Sequence, residues 1–214
     1  MLRPEAAAAL VLLLVWPGAG AERNEPPPCK EGRECFDYTL VCAESGYEAR
    51  LYPASTWVGT RVNGSAYLPS VVKSFWRLFH YIQGRNQLKV HIPMTSPVLT
   101  RVKDEPGSQE FEVYFMVPRA FQELPPTPTE DTVFLERFPE LRIYARYFGG
   151  WLTDENRKTQ LHYLDGKLSH DGRATQAGQH FTAGYNSPME LFKRRNEVWR
   201  LADGDLGCSP TSPE

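Results

Sequence analysis

The chain has 214 residues, of which 41% are hydrophobic and 23% charged, with a formal net charge of −2. This composition supports a packed core and excludes a globally disordered chain. The near-neutral balance also argues against nucleic acid or an anionic membrane surface as partner, since each selects for a basic excess.

The first stretch in chain order stands apart from the fold. Arg3 precedes an apolar run from Ala6 to Trp16, and small residues follow at Ala19, Gly20 and Ala21. That is the pattern of a secretory signal peptide over 1–21, cut after Ala21. The run is too short to cross a hydrocarbon layer of about 30 Å, and no later stretch is apolar for long enough. A secreted, extracellular protein without a membrane span is expected. Asn63-Gly64-Ser65 is a usable glycosylation sequon in a polar turn, whereas Asn186-Ser187-Pro188 fails for its proline.

Residues 22–35 read as a polar, proline-rich arm held down only by cysteine bonds. An even count of cysteines, Cys29, Cys35, Cys42 and Cys208, points to two disulfides in such a compartment. The β-prone run Phe36 to Val41 would hold Cys35 and Cys42 about 20 Å apart. A disulfide needs Cα atoms within about 7 Å. Two pairings remain, Cys29–Cys35 with Cys42–Cys208, or Cys29–Cys42 with Cys35–Cys208. The first has the simpler local loop and is preferred. A zinc site is disfavoured because no CxxC is present and no cysteine neighbours a histidine.

Strands are expected from Phe36, over Tyr47–Tyr52 and over Thr56–Val62, with a turn at Glu44-Ser45-Gly46 and a stop at Pro53. Leu68, Val71, Val72, Phe75, Leu78, Phe79 and Ile82 then form one apolar stripe at helical spacing. Pro69 suits the first turn of that helix and Gly84 its cap. The whole stripe is expected in the core, so a charge at Phe75 or Leu78 should prevent folding. Any ligand pocket should lie where this helix meets the sheet.

Leu88–Val102 reads as a strand broken by Pro93 and Pro97, and Phe111–Val117 is the clearest strand of the chain. Pro125–Thr129 reads as a stiff exposed connector. Beyond it come strands Val133–Phe138 and Leu141–Phe148, and a helix starting at Thr153-Asp154-Glu155 with Leu161, Leu164 and Leu168 inward. His170-Asp171-Gly172 stops that helix, and a last strand runs Asn196–Leu201. The Ser-Pro pairs at Ser96 and Ser187, like Trp57 and Phe148, are spaced as a repeat would be. The order strands, helix, strands occurs twice. The expected fold is α+β, a distorted antiparallel β-barrel with two flanking helices, in halves of about 36–120 and 131–202. Residues 203–214 form a C-terminal tail.

Catalytic motifs are missing. The five histidines form no metal box, and no GxSxG elbow, Walker loop or Rossmann fingerprint occurs. Asp154 and Glu155 read as helix-start charge rather than an acid–base couple. A binding protein without catalytic or metal residues is expected.

Ordered short matches give the chain a family resemblance. Tyr47-Glu48-Ala49-Arg50-Leu51-Tyr52 with Trp57-Val58, Tyr81-Ile82-Gln83-Gly84-Arg85-Asn86 and Met94-Thr95-Ser96-Pro97-Val98 resemble the SOUL family of heme-binding proteins. So do Thr182-Ala183-Gly184-Tyr185-Asn186-Ser187-Pro188 and Arg195-Asn196-Glu197-Val198-Trp199. The resemblance covers roughly 36–202 and implies a distorted barrel of pseudo-twofold design. It also implies a tetrapyrrole ligand, held by some members through a histidine in Tyr-Glu-x-Arg-His-Tyr. Leu51 replaces that histidine here. Other members hold the macrocycle in an apolar groove, with basic side chains near the propionates. On that pattern the candidate ligand residues are Leu51, Tyr52, Trp57, Val72, Phe75 and Phe79, with Arg50 and Arg61 for propionates. No cofactor is required; heme or porphyrin is the implied ligand. The competing expectation is an extracellular protein-interaction domain that has lost heme.

Overall fold

The computed structural model describes residues 33–105, 108–186 and 192–208. The signal-peptide reading, most of the arm with Cys29, and Ser187-Pro188 lie outside those residues. Eleven strands, two α-helices and a short 3-10 helix at Arg119–Phe121 are described. The first half contains β1 (Glu34–Cys35), β2 (Thr39–Glu44), β3 (Tyr47–Tyr52), β4 (Ser55–Gly64), α1 (Tyr67–Ile82), β5 (Thr95–Ser96), β6 (Val98–Glu105) and β7 (Ser108–Met116). The second contains β8 (Val133–Phe138), β9 (Leu141–Phe148), α2 (Asp154–His170), β10 (Gln179–Gly184) and β11 (Asn196–Leu201). Among the described residues no helix is long and apolar enough to cross a membrane.

Nine strands form one antiparallel sheet in the order β2-β3-β9-β11-β10-β6-β7-β4-β8. The order is a palindrome about the β10–β6 ladder if β3, β4, β6 and β7 are matched with β8, β9, β10 and β11. Each unit's first strand crosses over: β3 pairs with β9, and β8 with β4. The two helices begin 87 residues apart. The repeat is therefore real, but the sequence spacing of Trp57 and Phe148 is not its signature. Trp57 joins the cluster inside the sheet, and Phe148 packs with α2 outside it.

Side chains alternate along each strand, so the sheet has an inner and an outer face. The inner cluster combines Tyr52, Trp57, Leu99, Phe138, Phe181 and Trp199. Phe138 on the edge strand β8 and Phe181 on β10 lie 6.2 Å apart, centroid to centroid. Three strands separate β8 from β10 in the sheet, so the sheet is curled around this core. No ladder joins edges β2 and β8 among the described residues, and the wall is one sheet curled into a distorted barrel. On the outer face α1 covers Val58, Val113 and Phe115, while α2 covers Ala49, Tyr144 and Val198.

Only part of the α1 stripe enters the core. Leu78 and Ile82 are buried, but Leu68 is 49% and Val72 46% exposed, and Val71, Phe75 and Phe79 are half-buried. The buried face is instead Tyr67, Ser70, Ser74, Leu78, Tyr81 and Ile82. The two serines bring the helix close to β4: a Cβ on Gly64 would lie 2.5 Å from the Ser70 Oγ. Burying Leu78 contributes about 1.5–3 kcal/mol, so a charge there remains incompatible with folding. Phe75 is a different case, because it contacts Phe79 and Phe115 with one flank and faces outward with the other.

Helix ends follow local chemistry. The Thr153 Oγ1 accepts from the Asn156 N–H at 3.2 Å, and Gly172 ends α2 with φ of 66°. Gly84 follows α1 with φ of 109°, a conformation that costs glycine least. No side chain of its own caps α1; the Tyr67 N–H donates to Asp154 of α2 at 2.9 Å.

Three local expectations change. The end of the arm is held by more than cysteines: β1 pairs with β5, and Phe36 is buried against Tyr52 and Trp57. Leu88–Met94 is not strand. The 125–129 connector is docked, with Pro126 buried and its carbonyl accepting from the Tyr81 hydroxyl at 2.7 Å. Cys42 and Cys208 form a disulfide with Cα atoms 6.1 Å apart, which excludes the alternative pairing. Cys35 is also disulfide-bonded.

Candidate ligand groove

Because the α1 stripe is broader than the face that meets the sheet, its outer flank is left lining a groove of about 370 Å³. The helix contributes Leu68, Val72, Phe75, Trp76 and Phe79 to one wall. The floor is the outer face of β6 and β10 at Val98, Thr100 and Gly184. Trp151 and Leu152, between β9 and α2, form the far wall with Asn186, Arg194 and Asn196. Trp76 is 52% exposed and Trp151 46%. Contiguous exposed apolar side chains of this size commonly mark a binding surface.

Arg194 is the one charged residue among the described lining residues. Its guanidinium lies over the Trp151 ring, 4.3 Å from the centroid, a cation–π contact. Among the described lining residues there is no histidine, cysteine or methionine. The hydroxyl of Tyr67 is engaged with Thr182 at 2.7 Å, and burial pushes its pKa up. It is not an anionic oxygen ligand in waiting. Nor is any group of three or more His, Cys, Asp or Glu placed to hold a metal among the described residues.

The candidate residues named from sequence separate into three places. Val72, Phe75 and Phe79 come together in the groove. Arg50, Tyr52 and Trp57 lie inside the curled sheet. Arg61, more than half exposed, pairs with Glu112 and Glu110 on the inner face. Leu51 is half-buried on β3, opposite Thr39 and Arg142, and lines no part of the groove.

Arg50 has partners that a propionate would have to displace. Its Nε donates to Glu48 at 2.6 Å and its Nη1 to Glu197 at 2.9 Å, and all three side chains are at most 1% exposed. Tyr185 and the Trp199 indole donate to the same Glu197 at 3.0 and 2.7 Å. Burial alone would raise the Glu197 pKa, but Arg50 charge and hydrogen bonding hold it below the usual carboxylate range. Burial would likewise lower the Arg50 pKa, and Glu197 outweighs it and raises it. This is an ionic core, sealed by Tyr52 stacked on Phe36 and Trp199.

A family model for SOUL heme-binding proteins matches residues 33–201. The chain belongs to the SOUL heme-binding protein family. Heme-binding protein 2 of Homo sapiens is 37% identical over 160 residues, spanning 72% of this chain and 77% of the relative. Heme-binding protein 1 of Xenopus tropicalis is 30% identical over 156 residues, spanning 72% and 82%. Proteins of this SOUL family are named for binding rather than for catalysis. Among solved structures, the EcmrR C-terminal domain superposes with a TM-score of 0.59 at 11% identity, covering 78% of this chain and 98% of its own. A hydrolase from Listeria innocua gives 0.53 at 13%, covering 76% and 93%. At such identities these two show the fold alone.

In this SOUL chain, sequence reasoning missed Leu68 as a lining residue, together with Trp76, Trp151 and Arg194. Trp76 did carry a signal, since a tryptophan off the apolar stripe is a large group with no core to enter. Trp151 follows Gly149-Gly150, and nothing local in the sequence tells that it faces α1.

Proposed function

We propose that this chain is a secreted, non-enzymatic protein that binds heme or another tetrapyrrole in the α1 groove, without the family's axial histidine, whose place is taken by Leu51. The observation that carries the reading is the pairing of a contiguous apolar groove with Arg194, the one cation among its described lining residues. A flat macrocycle would cover Val72, Phe75 and Trp76, and Arg194 would meet a carboxylate by a charge-assisted hydrogen bond. The family membership and the names of the relatives support that ligand class. Heme, if bound there, would supply a redox-active iron, and Val72, Phe75, Trp76 and Arg194 would hold the macrocycle by apolar contact and charge. Leu51 is remote from the groove, so replacement of the family's histidine there does not weigh against this site.

Titration of the mature protein with hemin and with protoporphyrin IX tests the proposal. A saturable Soret change with hemin and a saturable fluorescence change with protoporphyrin, at comparable micromolar concentrations, are expected. No saturable change with either would refute it, and a histidine-ligated hemin spectrum would refute the histidine-free mode. The competing reading is an extracellular protein-interaction domain. It rests on the same exposed row, Leu68, Val72 and Trp76, which could seat an amphipathic helix. It requires that porphyrins fail to bind.

Secretion and a glycan at Asn63 belong to the same proposal. The Cys42–Cys208 disulfide supports an oxidising compartment. Asn63 is exposed, at the end of β4 rather than in a turn, and so is reachable by a glycan. An endoglycosidase-sensitive mass on secreted protein, absent in Asn63→Gln, is the expected result.

A further inference from the structure

The curled sheet holds a second cavity, of about 480 Å³, on the face opposite the groove. Successive residues of β6 separate the two: Thr100 lines the groove and Arg101 the inner cavity. The inner walls are Phe138, Leu141, Phe181 and Leu201, with Arg101, Glu136 and Gln179 as polar groups. A cavity of this size, lined in comparable measure by apolar and by polar side chains, has room for a small molecule that presents both a ring and a hydrogen-bonding group.

Its charges are already matched. Arg101 is bound through Nε to Glu112 and through Nη2 to Glu136 and the Tyr114 hydroxyl. At the rim Arg142 pairs with Asp205 at 2.8 Å and Glu140 at 3.5 Å. A cationic ligand would need a carboxylate released from its arginine, and an anionic one would need Arg101 released from Glu112, whose side chain is fully buried. Breaking such a pair is strongly unfavourable. Uncharged capacity remains. The Arg101 Nη1 has no partner among the described residues, while its guanidinium lies 5.6 and 6.0 Å from the Phe138 and Phe181 ring centroids. The Gln179 amide makes one long contact, 3.5 Å to Gln176.

We propose that this inner cavity is a second binding site, separate from the α1 groove, for a small uncharged aromatic molecule bearing a carbonyl-type acceptor. The ring packs against Phe138 and Phe181, with Leu141 and Leu201 at its edges. The acceptor takes the Arg101 Nη1–H, and the Gln179 amide offers the second polar contact. The site stands independently of tetrapyrrole binding, because no residue lines both cavities.

Acetanilide, a neutral aromatic amide, is the probe, with phenylacetate and benzylamine as its anionic and cationic counterparts. Amide chemical shifts of the isotopically labelled mature protein are followed during titration. Saturable shifts at residues 101, 138, 141, 179, 181 and 201 are expected with acetanilide, and about tenfold weaker binding for both charged probes. Leu201→Phe, which fills the cavity, and Gln179→Leu, which removes the amide, should each weaken acetanilide by about tenfold. Gln179 is half-buried at the rim, so its variant keeps the test usable if Leu201→Phe does not fold. The proposal is overturned by the absence of saturable shifts at millimolar acetanilide, or by shifts centred on α1. Equal binding of a charged probe, or undiminished binding to folded Gln179→Leu, overturns it as well.

Discussion

Arg50→Met separates a structural from a ligand-binding role for the most deeply placed of the candidate cations. The substitution leaves Glu197 and Glu48 buried, each at most 1% exposed, with the distal Arg195 contact to Glu197 at 3.3 Å as the remaining ion pair. Removing one partner of a buried pair costs about 3–5 kcal/mol. For a domain of this size about 1 kcal/mol corresponds to 2–4 °C, so Tm should fall by about 6–20 °C. Thermal and urea unfolding followed by tryptophan fluorescence, with disulfides intact, gives the number. A second variant, Arg50→Met with Glu197→Gln, should recover part of the loss, because one of the two stranded carboxylates is then neutral. Hemin affinity of the folded fraction should stay at the wild-type value. A variant of unchanged stability and strongly reduced hemin affinity would refute the reasoning and return Arg50 to the ligand.

Leu51→His should leave the hemin spectrum and affinity unchanged, since position 51 lies on β3 outside the groove lining; a new histidine-ligated Soret band would contradict this placement. His180 is buried, with a pKa pushed down to about 3 by burial and by the Arg157 and Arg200 charges. As pH falls below about 6.5, the unfolded chain takes up a proton there that the folded chain refuses until about pH 3. Stability should therefore decline across that window, and urea midpoints measured against pH should decline less steeply in His180→Gln. Cys42→Ser opens a crosslink between residues 166 apart and should lower unfolding stability by about 2–5 kcal/mol, read from the denaturant midpoint; an unchanged midpoint would count against the crosslink's contribution.

Much of the architecture was legible because local chemistry and tertiary context agree. Tyr47–Tyr52, Val133–Phe138, Leu141–Phe148 and Asn196–Leu201 appear with the expected bounds. The near-continuous burial of Tyr47–Tyr52 and Asn196–Leu201 suits a sheet that is covered on both faces. The Thr153 cap and the Gly84 and Gly172 ends are likewise visible, since one residue suffices to make each. The α1 stripe was legible as a helix but not as a surface. Periodicity identifies a face without telling whether protein or ligand covers it, and Ser70 and Ser74 carried the closer packing against the sheet. Arg50 shows the converse limit. Its partner Glu197 lies on β11, 147 residues away, so no spacing rule could tell an internal ion pair from a propionate anchor.

Val72→Asp with hemin tests the central claim most directly. Val72 is 46% exposed in the groove wall, so a charge there should change the unfolding midpoint little. It would set a carboxylate against the apolar macrocycle and near any propionate. Hemin affinity lowered by about tenfold or more, at nearly wild-type stability, is the result this account predicts. Wild-type hemin affinity in the folded variant would contradict it and place the ligand elsewhere.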